Sequence, residues 1–487
     1  MNLLRKGNTV LKRESGVLLH VSSLPGDYHC GSFGQAAKDF VDLLASGGFT
    51  YWQVLPFGMP DEHGSPYKSI SAFAGNPYFI DLDALYGEGL LTYEELEREK
   101  QFSPYLCDFN ALAKRFDLFL AASKRVKDRE AVDAFIENNP RLDEFCHFMA
   151  LKDSNGGCPW WEFDAEKSED ADVLFMHRFL QYKFFEQWSE VKAYANAKGV
   201  KIIGDMPIYV DLDSSDVYFG RKNFLLDADG KPSLVAGVPP DYFSPDGQLW
   251  GNPIYDWSYM KKEGYTWWCD RMAHTMKVFD GVRIDHFRAF ADYYTVKATD
   301  KNAKNGKWNK GPGLPFVKIL KEVAGGGMII AEDLGDIDDK VKKLVKDSTF
   351  PGMRVFQFGF EGDDDLHRPH AYPENCVAYS GTHDNNTLLG YLWEMDMEKK
   401  REMLEYIGAD PDNWELAVLP IIKSIMRSHA AITIFPMQDL LGYGKDTRMN
   451  TPGRASGNWA IRLTKAQLNS LDTAYFSHLN MLYHRKG

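Results

Sequence analysis

The chain has 487 residues, of which 44% are hydrophobic, and a formal net charge of −13 at pH 7. This length suits either several domains or one large barrel with insertions. The acidic balance argues against nucleic acid or an anionic membrane as the main partner, because phosphate groups require clustered Lys and Arg. No apolar run approaches the ~20 residues that span a bilayer, and charges interrupt the start of the chain before a signal-peptide core forms. We therefore expect a cytoplasmic protein without a membrane segment.

Cysteine and aromatic content narrow the class of ligand. The six cysteines are scattered without a C-x-x-C pair, which is typical of reduced thiols rather than of a disulfide framework or a zinc site. Aromatic residues make up 14% of the chain, and many lie in segments rich in Gly, Pro and Asp, where core packing is a poor explanation. Aromatic rings in loops suit a ligand with flat apolar faces and hydroxyl edges, such as a sugar.

The chain opens with a predicted strand, helix and strand. Residues 16–21 and 51–56 are apolar runs of strand length, and residues 35–46 carry apolar side chains at helical spacing. Such a unit forms parallel sheets. Further apolar runs begin near residues 200, 280, 328, 353, 376 and 431, most of them separated by enough chain for a helix. Eight strand–helix steps are typical of the (β/α)8 TIM barrel, an α/β fold.

Two long segments interrupt this pattern. Residues 86–199 are charged, with apolar side chains at three- and four-residue steps such as Phe179, Tyr182 and Phe185. We interpret them as a mainly α-helical insertion after the second strand. Residues 210–275 are predicted to be a loop and helix insertion after the third strand. Because the helical insertion is not bounded by linker composition, we expect a single barrel domain over residues 1–487.

Acidic side chains follow four of the predicted strands. Asp205, Asp285 and Glu332 each end an apolar run, and Asp384 follows His383 just beyond another. In a TIM barrel the C-terminal ends of the strands meet at one face, where the functional residues gather. We therefore expect these side chains to converge on a common site.

The run that ends at Asp285 carries a second charge. Arg283 lies two residues earlier, on the same face of the strand, where its guanidinium favours the charged carboxylate. A structural Arg–Asp pair inside a core would give the same pattern. The repetition of acids at other strand ends favours a site. His286 is on the opposite face and is predicted to be a packed or hydrogen-bonding histidine.

Converging carboxylates among aromatic loops suit glycoside bond chemistry. One carboxylate attacks the anomeric carbon and a protonated one donates to the leaving oxygen. Asp285 suits the nucleophile, and Glu332 suits the acid/base because burial and neighbouring carboxylates would raise its pKa. Asp384 would stabilise the cationic sugar. Two alternatives stay open, namely a divalent-metal site, for which no His cluster or Lys base is evident, and a non-catalytic carbohydrate-binding protein, which needs no strand-end acids.

The chain contains many short motifs in the order found in one enzyme family. By these motifs it resembles the amylomaltases, the 4-α-glucanotransferases or disproportionating enzymes related to the α-amylase clan. The motifs are Ser22-Ser-Leu-Pro-Gly26, Trp52-Gln-Val-Leu-Pro56, Ser65-Pro-Tyr67, Ser71-Ala-Phe-Ala-Gly-Asn-Pro77, Gly204-Asp-Met-Pro-Ile-Tyr209, Val238-Pro-Pro-Asp-Tyr-Phe243, Gln248-Leu-Trp-Gly-Asn-Pro253, Val282-Arg-Ile-Asp-His-Phe287, Ala331-Glu-Asp-Leu-Gly335, Gly381-Thr-His-Asp-Asn385 and Arg448-Met-Asn450.

The resemblance implies a retaining transferase acting on maltooligosaccharides and on starch- or glycogen-derived α-1,4-glucans, without a cofactor or metal. An α-1,4-glucan hydrolase of amylase type is the alternative. The resemblance also implies a barrel without a C-terminal β-domain. It implies that Asp285 is the nucleophile, Glu332 the acid/base and Asp384 the transition-state stabiliser. Substrate contacts are implied for Tyr67, Asp205, Asp241, Trp250, Arg283 and His383. On the residues alone, Asp205 could instead be a structural acid and Tyr67 a packing residue.

The chain departs from the family at Asp61-Glu-His-Gly64, where many relatives carry a Tyr. The resemblance therefore implies no secondary glucan contact at that position.

Overall fold

The structure is a computed structural model, and it describes residues 11–61, 63–240, 244–335, 337–362, 365–454 and 456–486. Its strands are β1 (Glu14–Leu18), β2 (Tyr51–Gln53), β3 (Lys201–Met206), β4 (Leu234–Val238), β5 (Gln248–Pro253), β6 (Gly281–Ile284), β7 (Asp292–Lys297), β8 (Lys307–Lys310), β9 (Met328–Ala331), β10 (Gly352–Val355), β11 (Cys376–Tyr379) and β12 (Ile432–Pro436).

Eight of these strands close a parallel barrel in the order β1-β2-β3-β6-β9-β10-β11-β12. The ring closes where β1 pairs with β12, and neighbouring strands such as β3 and β6 are in parallel register. All eight strands predicted from the sequence are present, and they are the eight that form the barrel. The predicted (β/α)8 fold is confirmed.

The helices lie between the strands and beyond the last one. They are α1 (Gln35–Ser46), α2 (Leu82–Gly87), α3 (Tyr93–Arg98), α4 (Phe109–Lys114), α5 (Phe116–Ser123), α6 (Arg129–Glu137), α7 (Pro140–Ser154), α8 (Ala171–Ala197), α9 (Ser215–Phe219), α10 (Trp257–Lys262), α11 (Thr266–Val278), α12 (Gly313–Val323), α13 (Asp339–Ser348), α14 (Leu388–Glu394), α15 (Met397–Ile407), α16 (Val418–Arg427), α17 (Met437–Leu440), α18 (Lys465–Asn469) and α19 (Thr473–Leu482).

Helices α2 to α8 all fall between β2 and β3, and α3 to α8 lie within residues 86–199, where the sequence indicates helix. The longest, α8, begins at the N-cap Asp170, whose carboxylate accepts hydrogen bonds from the first-turn amides. Its apolar face includes the buried Phe179 and Trp188. The Trp188 indole donates to the Val278 carbonyl at 2.9 Å, which ties the helix to the end of α11 beside the barrel.

A second, four-stranded antiparallel sheet has the order β5-β4-β7-β8. The sequence analysis assigned residues 210–275 to loops and helices and did not anticipate this sheet. Gly237, Gly251 and Pro253 break the alternation of apolar and polar side chains that marks a strand in the β4 and β5 segments. The partner β7 also lies beyond β6 in the chain, so no local pattern reveals the pairing.

Side-chain alternation along β6 explains how charges reach the barrel interior. Val282 and Ile284 pack outward in one cluster with Trp268 of α11 and Phe316 of α12. Arg283 therefore points inward, and Asp285 follows on the same side. Among the described residues, no helix combines the length and apolar character needed to cross a bilayer.

Candidate active site

Arg283 is the centre of a buried ion-pair group at the ends of β3 and β6. Its Nη1 donates to Asp205 Oδ2 at 2.6 Å and its Nη2 donates to Asp285 Oδ1 at 2.7 Å. The register of the two strands sets Asp205 beside Arg283. The Asp205 side chain is fully buried, whereas that of Asp285 is 29% exposed. The guanidinium thus orients a carboxylate that still reaches solvent.

Glu332 follows β9 and lies next to the β6 turn. Its Oε2 accepts a hydrogen bond from the His286 amide at 2.7 Å, and its Oε1 accepts one from the Leu334 amide at 2.8 Å. Burial, followed by the negative charge of Asp285, raises the pKa of Glu332 to about 7, although Arg283 and the two amides oppose the shift. The carboxyl group is therefore half-protonated near neutral pH, as a general acid requires.

His286 turns the chain between Asp285 and the following residues. Its backbone is left-handed, with φ of 51°, which is uncommon for a residue other than glycine. The turn directs its amide at Glu332 and sets its ring edge-to-face with Trp250 at a centroid distance of 4.9 Å. Burial lowers the pKa of the His286 imidazole to about 4, so the ring is neutral at pH 7. This is the packed histidine that strand alternation predicts.

The loop after β11 presents His383 and Asp384. Asp384 Oδ1 accepts a hydrogen bond from Asn450 Nδ2 at 2.6 Å and lies 3.3 Å from His383 Nε2. Burial alone would raise the pKa of Asp384, but the His383 charge, its hydrogen bond and the Asn450 amide together lower it to about 2. Burial likewise opposes the charge on His383, yet Asp384 raises the pKa of the imidazole. The pair therefore keeps the Asp384 carboxylate ionised and favours the protonated form of the His383 ring.

Tyr67 connects these two groups. Its hydroxyl donates to Asp205 Oδ2 at 2.9 Å, and its ring stacks on His383 with a centroid distance of 5.0 Å and an interplanar angle of 21°. Trp459 lies against both rings, 5.7 Å from each. Tyr67 therefore packs against the site and also forms part of its wall.

A cleft of about 470 Å³ opens over these residues. Five predicted site residues line it: Tyr67, Trp250, Asp285, His383 and Asp384. Arg283 and Glu332 adjoin these lining residues, since Arg283 contacts Asp285 and the partly exposed Glu332 contacts the amide of His286. Asp205 touches Arg283 and Tyr67 and has no exposed side-chain surface, which favours its structural alternative. The predicted contact Asp241 lies outside the described residues.

Some residues of the cleft had no role assigned from the sequence. Asn450, which bonds Asp384, belonged to a motif quoted only for its resemblance, and Trp459 lies in the C-terminal loop that returns to the cleft. Both contact residues that are far away in the chain, so only the closed barrel reveals them. In the part of the chain that the structure describes, no three His, Cys, Asp or Glu side chains are grouped as metal ligands would be.

Comparison with known proteins places this site in a family. Residues 19–468 match the model of the 4-alpha-glucanotransferase family. The 4-alpha-glucanotransferase of Streptococcus pneumoniae serotype 4 is 42% identical over 97% of this chain and 98% of its own length. The 4-alpha-glucanotransferase of Thermus thermophilus is 41% identical over 94% of this chain and 96% of its own.

Solved structures agree with the sequence comparison. The amylomaltase from Streptococcus agalactiae, solved in complex with acarbose, superposes with a TM-score of 0.92 at 37% identity, over 98% of this chain and all of that one. The chain therefore belongs to the 4-alpha-glucanotransferase family.

Proposed function

We propose that this protein transfers segments of α-1,4-glucan between maltooligosaccharides, or from starch- and glycogen-derived glucans, by a retaining double displacement. The observation that carries the proposal is the contrast within one cleft between Asp285, paired with a guanidinium, and Glu332, whose pKa of about 7 leaves it half-protonated at neutral pH. A charged nucleophile and a protonated acid are the two groups that a retaining mechanism needs. Action in the cytoplasm is part of the same proposal.

The first displacement breaks the glycosidic bond. Asp285 attacks the anomeric carbon and forms a covalent glucosyl–enzyme ester, while Glu332 gives its proton to the leaving oxygen. Asp384 faces the cleft as an ionised carboxylate, where it stabilises the positive charge that develops on the sugar ring. Arg283 contacts Asp285 directly, and Asp205 contacts Arg283. Both residues therefore position the nucleophile rather than touch the sugar.

The second displacement reverses these roles. Glu332, now ionised, accepts a proton from the 4-hydroxyl of an incoming glucan, whose oxygen replaces Asp285 at the anomeric carbon. Tyr67, Trp250 and His383 line the cleft and supply the ring and hydrogen-bonding surfaces for the two sugars.

Transfer rather than hydrolysis requires that the ester waits for an acceptor sugar. The segment from Ala236 to Pro253 includes the paired Pro239 and Pro240, and it places Trp250 in the cleft wall against His286. Apolar surface at this position excludes water and offers a face to the acceptor. An amylase-type hydrolase would need water to compete at the same ester.

Counting reducing ends during incubation with maltotriose separates these activities. Transfer makes one α-1,4 bond for each one broken, so we expect glucose and a ladder of longer maltooligosaccharides at a nearly constant number of reducing ends. Hydrolysis adds one reducing end per event. A steady rise in reducing ends without longer products would overturn the transferase proposal.

A further inference from the structure

The loop that carries His383 and Asp384 is fastened at its base by one buried carboxylate. Asp439 lies in α17, directly after β12, the strand that pairs with β11. Asp439 Oδ2 accepts a hydrogen bond from Ser380 Oγ at 2.6 Å, and Oδ1 accepts one from the Leu388 amide at 2.7 Å. Ser380 follows the end of β11 and Leu388 begins α14, so the two bonds join the two ends of loop 381–387.

The tip of the same loop is held by residues that follow Asp439 in the chain. Asn450 Nδ2 donates to the Asp384 carboxylate at 2.6 Å, and the Arg448 guanidinium donates to the Asp384 carbonyl. The segment from Asp439 to Asn450 therefore forms hydrogen bonds with the loop at its base and at its tip. Loss of the base contacts would leave the tip attached, so we expect the loop to shift rather than to unfold.

Asp439 is an expensive residue to bury. It is 1% exposed, and among the described residues no Lys, Arg or His forms an ion pair with it. A buried carboxylate without a cation is costly unless hydrogen bonds satisfy it. Here the donors are a hydroxyl and an amide of the first turn of α14, where the helix dipole favours negative charge.

We propose that Asp439 is a positioning residue for the glucan transfer reaction, which holds the base of loop 381–387 closed so that Asp384 and His383 face the cleft. The inference rests on the proposed role of Asp384. Asp439 acts on the rate through the position of Asp384. A displacement of about 1 Å in a group that stabilises the transition state costs on the order of 100-fold in rate.

The hydrogen-bonding pattern, rather than the charge, is what the loop needs. Burial raises the pKa of Asp439 to about 6, so a proton is taken up within a working pH range. A protonated carboxyl, like an amide, still accepts from the Leu388 amide and can donate to Ser380 Oγ, since a hydroxyl accepts as well as donates. Asp439→Asn should therefore keep the loop in place, whereas Asp439→Ala should release it.

The first experiment compares these two variants with maltotriose, well below their melting temperatures and per folded molecule. We expect Asp439→Ala to lose on the order of 100-fold in kcat with little change in KM, and Asp439→Asn to stay within a few-fold of the unmodified enzyme. Should Asp439→Ala fail to fold, Ser380→Ala removes one of the two bonds, and we expect roughly a tenfold loss from it. Equal losses in the Asn and Ala variants would overturn the proposal.

The second experiment asks whether the effect passes through Asp384. In an Asp384→Asn background, Asp439→Ala should cost at most a few-fold more, because the group it positions is already impaired. Asp216→Ala is the matched control, since Asp216 is also buried and also bonds two neutral donors, the Ala72 amide and the Trp267 indole, away from this loop. Its effect should be the same in both backgrounds.

The outcomes are distinct. A loss from Asp439→Ala that multiplies fully with the loss from Asp384→Asn would overturn the positioning role. Full activity of Asp384→Asn alone would instead remove the proposed role of Asp384, which is a separate failure of the mechanism.

Discussion

Two carboxylates of the same site have pKa values shifted in opposite directions because of their neighbours. Glu332 accepts two backbone hydrogen bonds, at 2.7 and 2.8 Å, yet its pKa rises to about 7. Asp384 accepts one amide hydrogen bond and lies 3.3 Å from an imidazole nitrogen, and its pKa falls to about 2. The number of hydrogen bonds does not decide the difference. Burial acts to raise both pKa values, and the sign of the neighbouring charge then separates them, since Asp285 lies beside Glu332 and His383 beside Asp384.

Removal of the nucleophile should have the largest effect on kcat, and it should also reduce the difference between the pKa values of Glu332 and Asp384. Asp285→Asn keeps the shape of the side chain and removes its charge, so we expect kcat to fall by roughly 10⁴-fold or more. The pKa of Glu332 should fall as well, because the Asp285 charge helps to raise it. The fall in kcat is measured with maltotriose as the substrate. Asp292→Asn is the control, because Asp292 pairs with Arg288 at 2.9 Å outside the cleft wall. Activity close to that of the control would exclude Asp285 as nucleophile.

Replacement of the proton donor should cost less. Glu332→Gln cannot protonate the leaving oxygen, so we expect kcat/KM on maltotriose to fall by about 10²- to 10⁴-fold and the alkaline limb of its pH profile to disappear. A donor with a good leaving group, such as α-maltosyl fluoride, needs little protonation and should lose much less. Equal losses for the two donors would contradict the assignment of Glu332 as acid.

Asn450 tests the other side of the comparison. Asn450→Ala removes a hydrogen bond to the ionised Asp384, so we expect a loss of about tenfold or somewhat more in kcat/KM. The pKa of Asp384 should rise, and because activity is lost as this group takes up a proton, the acid limb should move to higher pH. Asn196→Ala is the control, since its amide bonds Val200 and Asp280 instead. An acid limb that stays in place would argue against Asp384 as an ionised participant.

The smallest expected effect is on stability. The pKa of Glu332 is raised in the folded state, so the native protein binds a proton more tightly than the unfolded chain does, and this group makes unfolding easier as pH rises from about 4.5 to about 7. Glu332→Gln should therefore melt a degree or two higher than the unmodified protein at pH 8, with a smaller gap at pH 5. Asp384→Asn should melt lower at pH 8, because the lowered pKa of Asp384 means that its ionised form stabilises the folded state above the ordinary carboxyl range. Melting temperatures at pH 8 that shift in the same direction for both variants would contradict the opposite pKa shifts of the two carboxylates.

Local patterns were enough to predict the barrel and the placement of its acids. Each barrel strand lies in a mainly apolar run, and alternation alone placed Arg283 beside Asp285. The second sheet escaped prediction because Gly and Pro interrupt β4 and β5, and because β4 pairs with β7 across β6 in the chain. Asn450, Trp459 and the base contact of Asp439 escaped for a different reason. Their partners lie far away in sequence, and a polar side chain in a loop carries no mark of what it will touch.

The proposed retaining mechanism depends most directly on the protonation of Glu332 near neutral pH. Infrared difference spectra of the unmodified protein and of Glu332→Gln, recorded between pH 4 and pH 9, isolate the carboxyl band of this residue. We predict that a protonated carboxyl signal present in the unmodified protein and absent from the variant disappears with a midpoint near pH 7. Loss of that signal below about pH 5, the range of an ordinary glutamate, would contradict the mechanism.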